Sequence, residues 1–431
     1  MNDREVVTYC IETLLKTGAD KCQCELSKSK KYEMNVESGS VSLLRTTLDT
    51  SLGLTVIKDK KKGFISINKA DKESIDEAVN SVFELCRNSE ADDGYDIAPL
   101  QDPEQFTSGI MEPDLDRMYT LLTNFVSEVS AKFPTIKLND TILTFNQSSK
   151  YVGNSNGVDF SMNKGIYDFM TMFASKDGEK GSSFNYSGFF TKELDKELLD
   201  CGTIEILMRQ NTEQITTRPI EGKFQGDVII TPDCLNDLIS AYVGTFLTDS
   251  VLISGTSLLK DKLNEQISSP LLTLSSKPVS PEICDGYFVT GDGFKAENVT
   301  ILEKGVLKSF LLSQYGANKT GLERAKNSGY CYVVEPGDTS FEEMVKNTAK
   351  GILVARFSGG MPSTSGDFSG VAKNSYYIEN GEIKYPVSET MISGNLLELF
   401  RNIKAISSER VDFGAMLLPH ISSTGVTVSG K

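Results

Sequence analysis

The chain has 431 residues, with 44 Lys and Arg against 59 Asp and Glu, a formal net charge of −15 and a single histidine, His420. One histidine excludes the zinc sites that need two or three, such as an HExxH helix. The length suits about two or three domains, and the acidic balance argues against a surface that wraps nucleic acid.

The opening residues and the cysteines indicate a cytoplasmic protein. Residues 1–7 mix acids and bases, unlike a signal peptide, and no apolar run approaches the ~20 residues of a membrane span. Eight cysteines occur without CxxC spacing, which is typical of buried free thiols. Cys22 and Cys24 alternate along a predicted strand and should point to the same face.

The first ninety residues are predicted to form an α+β unit. An amphipathic helix opens the chain, with Gly18 as its C-terminal cap. Short alternating runs across residues 21–68 predict an antiparallel meander, and a second helix begins at its cap, Asp71. Both helices should pack on one face of the sheet.

The acidic, proline-bearing stretch 88–113 is interpreted as a linker or long surface loop between two sub-modules, 1–99 and 113–220. A helix should follow from Leu115. Residues 136–190 have strand-like patterns, with turns predicted at 153–157, 164–165 and 177–178. Residues 193–214 are predicted to be helical.

A domain boundary is placed near residue 220, with a β-rich domain over 221–431. A strand at 227–230 should lead into a helix after Pro232. Asn380-Gly381 and, less strongly, Lys304-Gly305 predict hairpins, and Ser340 to Glu343 is a capping box. The predicted fold class is α+β, with an N-terminal antiparallel meander with flanking helices and a C-terminal β-rich domain.

Two motifs suggest chemistry that their context rejects. Gly153 to Gly157 matches GxSxG, with His420 as a conceivable base. A nucleophile elbow leads into a helix, whereas the residues from Val158 alternate like a strand, so a hairpin turn is expected. Asp285-Gly286 and Asp292-Gly293 fail the calcium-loop spacing. With no phosphate-binding glycine motif either, no cofactor or metal is predicted.

A glycine-rich loop is the clearest candidate for ligand contact. It contains Gly359 and Gly360, followed by Gly366, Asp367 and Phe368. Glycines in such a loop either allow backbone angles that other residues avoid, or leave the backbone exposed so that a ligand can approach it.

The C-terminal third resembles a known family. The residues that carry the resemblance are Phe368-Ser369, Ile378 to Ile383, Tyr385 to Val387, Gly394 to Leu396 and the ending Val426 to Gly430. They are similar to the C-terminal signature of the TldD/PmbA family, once called modulators of DNA gyrase and now regarded as peptidases. The segment Gly305 to Tyr315 and the turn Asn154 to Gly157 follow the family's order, so the likeness covers nearly the whole chain.

The resemblance implies which branch of the family this is. TldD members hold zinc through an HExxxH helix and a cysteine near the C-terminus. The matching stretch here, Val228 to Asp237, has no histidine, and no cysteine follows Cys331. This is similar to the PmbA (TldE) branch, whose members lack the zinc ligands and pair with a TldD-like subunit. One histidine cannot supply the missing site.

The resulting hypothesis is a metal-free subunit of a cytosolic peptidase that processes or degrades small or unfolded peptides. An extended substrate would add a strand to a sheet edge, beside the glycine loop and a predicted strand around Tyr315. A stand-alone homodimeric peptide-binding protein is the alternative. A third possibility, a peptidase built on Cys234 or His420, has no support in the spacing, and the acidic chain gives none for gyrase modulation.

Overall fold

The computed structural model describes residues 1–388 and 390–430. These residues form two sheets with helices packed against them. The first sheet is built from the N-terminal half of the chain and the second from the C-terminal half.

The N-terminal sheet is mainly antiparallel and has the strand order β3-β2-β1-β5-β6-β4, with β7 and β8 paired to β6. Its elements are α1 (Asp3–Thr17), β1 (Lys21–Glu37), β2 (Ser40–Lys58), β3 (Lys61–Ile67), α2 (Lys72–Asn88), β4 (Glu104–Ser108), α3 (Leu115–Lys132), β5 (Ile136–Asn154), β6 (Asp159–Asp177), β7 (Lys180–Gly181), β8 (Asn185–Thr191) and α4 (Ile204–Glu213).

Two apolar clusters bind the helices to this sheet. Side chains of α1 and α2 pack on β1 and β2, where Cys22 and Cys24 are both buried, as the alternation predicted. Side chains of α3 and α4 pack on β5 and β6. Gly18 ends α1 in the left-handed conformation and Asp71 caps α2, so both predicted helix boundaries are confirmed.

The stretch 88–113, predicted as a linker or long surface loop, is mostly irregular but contains β4, which pairs with β6. Two other local predictions in this half are wrong. Lys164-Gly165 lies inside β6 rather than in a turn. Residue 165 is a glycine because the Ile110 carbonyl oxygen occupies the space that a side chain would need. The predicted helix 193–214 is a short 3-10 turn, Leu198–Asp200, followed by α4.

The C-terminal sheet has the order β12-β11-β10-β13-β21-β9-β14-β17-β18, with β15, β16, β19 and β20 attached at its side. Its elements are β9 (Lys223–Ile230), α5 (Pro232–Phe246), α6 (Asp249–Ile253), β10 (Leu274–Ser276), β11 (Val299–Glu303), β12 (Val306–Leu307), α7 (Gln314–Thr320), β13 (Tyr332–Val334), α8 (Phe341–Lys346), β14 (Lys350–Val354), β15 (Arg356–Gly359), β16 (Asp367–Lys373), β17 (Tyr376–Glu379), β18 (Glu382–Pro386), β19 (Thr390–Asn395), α9 (Leu396–Arg401), β20 (Ile403–Asp412) and β21 (Leu417–Ser429).

At the centre of this sheet, β9 lies parallel to β14 and antiparallel to β21. Helix α5 follows β9 and buries its apolar side against the sheet. Both predicted hairpins are confirmed, since Asn380-Gly381 and Lys304-Gly305 have positive φ in the turns β17–β18 and β11–β12. The capping box at Ser340 is present, and the α+β class is confirmed.

Within residues 1–388 and 390–430, no helix is long and apolar enough to cross a membrane.

Candidate functional site

The candidate site lies at the C-terminal end of α5, where the chain turns into α6. The side chain of Thr231 caps the start of α5 and Pro232 takes the first helical position, so this sequence fixes the start of the helix. Phe246 is the last helical residue and is fully buried. Asp249 then opens α6, three residues further along the chain.

A central cleft of about 560 Å³ opens beside this junction. Both sheets contribute to it, because β1, β2 and β3 supply one wall and the segments around α6 and α7 supply the other. The lining residues used below are Gln23, Lys62, Asp249, Gly291, Asp292, Tyr315 and Arg324.

The charged groups of the central cleft are held in fixed positions. Arg324 donates to both carboxylate oxygens of Asp292, at 2.8 and 3.0 Å, and stacks over the Phe294 ring at 3.6 Å. Burial raises the pKa of Asp292, but the hydrogen bonds and charge of Arg324 outweigh it, and the pKa lies below its usual value. Asp249 accepts from the Ser313 backbone at 2.9 Å. The Arg324–Asp292 ion pair and the hydrogen bond to Asp249 shape a polar wall.

Tyr315 lines the central cleft, but on helix α7, so the predicted strand around it is wrong. The helix forms because Ser313 caps it, accepting from the Gly316 backbone at 3.2 Å. The Tyr315 hydroxyl donates to Asp92 at 2.8 Å, and its ring stacks on Tyr95 with centroids 5.1 Å apart. Tyr315 therefore ties the loop after α2 to the C-terminal sheet.

The glycine-rich loop is the turn of a hairpin formed by β15 and β16. Gly359 ends β15 opposite Gly370, and an added Cβ at either would lie 2.6 Å from the Phe357 ring. Gly366 has φ +90°, and its added Cβ would lie 2.8 Å from the Phe246 ring. Only Gly360 in this turn faces open space, so most of these glycines are required for packing.

The two residues after Gly366 also support the hairpin. Asp367 accepts from the Asn395 amide at 2.9 Å, and this hydrogen bond is the main cause of its lowered pKa. Phe368 is buried and packs edge-to-face on Phe357. The loop touches α5 at Phe246 and α7 touches Asp249, so the structure brings both predicted segments to the α5–α6 junction.

The lone histidine lies in β21 and stacks on Phe341, with centroids 4.5 Å apart. Burial lowers the pKa of His420 to about 4, so the ring is neutral at physiological pH. Burial raises the pKa of the Cys234 thiol well above its usual value, which makes it a poor nucleophile. Among the residues that the structure describes, no three His, Cys, Asp or Glu side chains are arranged to hold a metal ion.

The GxSxG match is a turn between two strands, as expected. β5 ends at Asn154 and β6 begins at Asp159, and no helix follows the serine. Asn154 fastens the turn by donating to the Ala98 carbonyl at 2.8 Å and accepting from the Val158 backbone at 3.0 Å.

Sequence reasoning missed a second, smaller cavity, here named the junction cavity, of about 140 Å³. It lies at the other end of α5, between β8 and the ends of β9 and β14. Asn185, Asp233, Asp237 and Arg356 provide its polar groups. These residues come from three distant segments, so no single local motif contains them. The only signal in the sequence was the spacing of Asp233 and Asp237, which lie four residues apart on α5.

The fold is α+β, and its two sheets enclose the central cleft beside the unit formed by β9 and α5. Within that class, residues 24–86 match the model of the PmbA/TldA metallopeptidase domain 1, and residues 222–430 match that of the PmbA/TldA metallopeptidase C-terminal domain. The two matches together span more than half of the sequence, and the chain belongs to the TldD/PmbA family.

Full-length relatives and solved structures agree with this assignment. The Metalloprotease PmbA of Escherichia coli O157:H7 is 24% identical, over 98% of this chain and 97% of that protein. TldE from Thermococcus kodakarensis superposes with a TM-score of 0.82 at 19% identity, covering 99% and 100% of the two chains. A Bacteroides thetaiotaomicron protein named as a candidate modulator of DNA gyrase gives a TM-score of 0.88 at 21% identity, covering 100% and 99%.

Proposed function

We propose that this chain is a PmbA/TldE-like subunit of a cytosolic TldD/PmbA-type metallopeptidase system that processes or degrades small or unfolded peptides. In this role it contributes no zinc site of its own. The proposal rests on the sequence of helix α5. This helix has no histidine from Pro232 to Phe246 that could be a zinc ligand. The only histidine in the sequence, His420, is a neutral, partly buried ring on β21.

The proposed partner is a TldD-like zinc peptidase subunit, because a subunit without zinc ligands needs a partner that activates water. A homodimer of this chain would instead bind peptides without hydrolysing them. In the mixed complex, the contribution of this chain is to bind and position the peptide, which lowers the entropic cost of bringing the peptide to the metal.

The central cleft is the proposed peptide path. Its volume of about 560 Å³ falls in the usual range for ligand sites. Ser358, Gly359 and Gly360 are exposed at the nearby hairpin, where main chain is accessible. Main-chain recognition suits an unfolded peptide because it does not depend on the side chains.

Peptide turnover by a mixed complex tests this path. The chain is combined with a TldD-like subunit and given an unfolded peptide, and the peptide fragments are quantified. Gly291 lines the central cleft and Gly360 lies at the hairpin, and neither has an atom within 4 Å of an added Cβ. Gly291→Ile and Gly360→Ile should therefore fold normally and lower turnover.

Ala131→Ile is the control, since Ala131 is exposed on α3 and does not line the central cleft. Turnover at the wild-type level in both test variants would remove the central cleft and the hairpin from the peptide path. Turnover by this chain alone, without any partner, would contradict the non-catalytic role.

A further inference from the structure

The outer edge of strand β2 lacks a neighbouring strand along half of its length. Among the residues that the structure describes, β2 pairs with β1 from Ser40 to Ile57, but β3 covers only residues 52–58 on its other side. Residues 43–51 of β2, here named the free edge, therefore have no strand beside them on the outer side. The unpaired N–H and C=O groups of such an edge are a template for a strand of another chain.

The free edge is regular and exposed to solvent. Its pairing with β1 has no register shift, since the irregularity in this pair lies before Leu43. Leu43, Leu44 and Leu48 are 40%, 56% and 73% exposed. Natural sheets protect such edges with lysine, proline or a bulge, and the free edge contains none of these. Exposed leucines on an unprotected edge indicate a surface that another chain covers.

The leucine pair and the charged side chains lie on opposite faces of the free edge. Side chains alternate along a strand, so Leu44 and Leu48 share one face, and Arg45 and Asp49 share the other. Both charged residues are exposed. Arg45 pairs with Glu33 on β1, and its guanidinium has five N–H donors. It can therefore hold a second carboxylate beside that of Glu33.

The free edge is complementary to a second copy of itself. In an antiparallel pair centred on Thr47, residues at equal distances before and after it face each other across the two copies. Arg45 of each copy then lies opposite Asp49 of the other, at a Cβ separation of about 5 Å. Leu48 of one copy lies diagonal to Leu44 and Leu48 of the other, at roughly 7–8 Å. A single register thus brings together both the opposite charges and the leucines.

We propose that two copies of this chain pair through β2 and form one continuous antiparallel sheet, with the two-fold axis at Thr47. Pairing over the free edge makes about eight to ten backbone hydrogen bonds, as many as a typical protein interface. A contact of this kind closes at two copies. An extended peptide of arbitrary sequence would leave Arg45 and Asp49 without opposite charges, and this mismatch favours a second copy as the occupant.

The contact leaves the central cleft open. Gln23 and Thr55 face each other across β1 and β2, and both line the cleft. Thr47 precedes Thr55 on the same strand and lies about 26 Å from it, at ~3.3 Å per residue. The cleft of each copy therefore stays accessible to a peptide and to a TldD-like subunit. The inference goes beyond the proposed peptidase role, and its test needs neither a partner nor turnover.

Size-exclusion chromatography with light scattering on the full chain, purified without a tag, tests the proposal. The chain of 47.3 kDa should elute with twice that mass at micromolar concentration. Leu48→Lys places a charge in the leucine cluster and should shift the chain to the monomer mass. Leu100→Lys is the matched control, since Leu100 is 72% exposed in the loop before β4, and it should leave the dimer intact. Circular dichroism checks that both variants fold.

Cysteine cross-linking tests the register. The thiol of Thr47→Cys faces its own copy across the two-fold axis, so oxidation should join two chains by a disulfide that is visible on a non-reducing gel. Thr50→Cys is the matched control on the same strand. Its position three residues from the axis puts the two thiols roughly 20 Å apart, beyond the reach of a disulfide. Most native cysteines are buried, which keeps the background low.

Four results would each overturn the proposal. The first is a wild-type chain that stays monomeric at high micromolar concentration. The second is an unchanged dimer in a folded Leu48→Lys variant, which would place the contact on another surface. The third is cross-linking of Thr50→Cys that is as strong as that of Thr47→Cys. The fourth is a Thr47→Cys chain that cross-links to an added TldD-like subunit and not to itself, which would identify a different occupant.

Discussion

Asp233→Asn should stabilise the protein at neutral pH and not in acid. Burial raises the pKa of Asp233 from 3.8 to about 6, with a smaller contribution from Asp237 and against the hydrogen bond from Thr203. At neutral pH, ionising this carboxyl group therefore costs more free energy in the folded chain than in the unfolded chain. The amide keeps the shape and the bond to Thr203 but carries no charge.

The magnitude follows from proton linkage. Between pH 3.8 and about 6 the folded state binds more protons at this residue than the unfolded state, so its contribution to stability falls as pH rises. At 1.36 kcal/mol per pKa unit, the loss is about 3 kcal/mol by pH 7.5. The variant avoids that loss, so its advantage should grow by up to about 3 kcal/mol between pH 4 and pH 7.5.

Urea unfolding followed by circular dichroism at pH 4, 5, 6 and 7.5 measures this difference. Asp116→Asn, the same change near the start of α3, should show no stabilisation at any of these pH values. A gain for Asp233→Asn that is equal at pH 4 and 7.5 would show that the charge is not its cause. A loss at pH 7.5 would show that the carboxylate is well stabilised, and would refute the reasoning.

Three further predictions follow from single contacts. Gly366→Ala should cost about 1–3 kcal/mol in unfolding free energy because of its positive φ, whereas Gly360→Ala should change it by less than about 0.5 kcal/mol; equal effects would contradict the packing of this loop. Tyr315→Phe removes the hydrogen bond to Asp92 and should cost about 0.5–1.5 kcal/mol, and no loss in urea unfolding would mean that the bond is not formed. The His420 ring is the only imidazole, so its proton resonances should titrate near pH 4, and a midpoint near 6.5 would show an exposed ring.

Features that depend on a few neighbouring residues could be predicted from the sequence. Asn380-Gly381 specified its hairpin because both residues adopt positive φ, and Ser340 capped α8 through its own side chain and that of Glu343. The boundaries of α1 and α2 followed from similar local contacts. Such features need no knowledge of the rest of the fold.

Features set by distant segments could not be predicted. Gly165 looked like a turn residue, but it is glycine because the chain at Ile110 crosses β6 there. Tyr315 followed an apolar run that resembled a strand, yet the Ser313 cap starts a helix and Gly316 lets it approach Asp249. The hairpin glycines indicated exposed backbone, whereas Gly359 and Gly366 accommodate aromatic rings.

The candidate sites show the same limit. The absence of an HExxxH helix could be established from the sequence alone, because that motif is local. The junction cavity could not, since Asn185, Asp233 and Arg356 meet only when β8 packs near the ends of β9 and β14. Pairing of residues so far apart in sequence follows from the topology of the two sheets.

The zinc content of the chain, purified alone and without a histidine tag, shows whether this subunit has a metal site. We expect less than about a tenth of an equivalent after dialysis, because binding needs a set of deprotonated ligands that α5 does not provide. A full equivalent that survives dialysis would contradict this expectation, and would mean that this subunit carries a zinc site of its own.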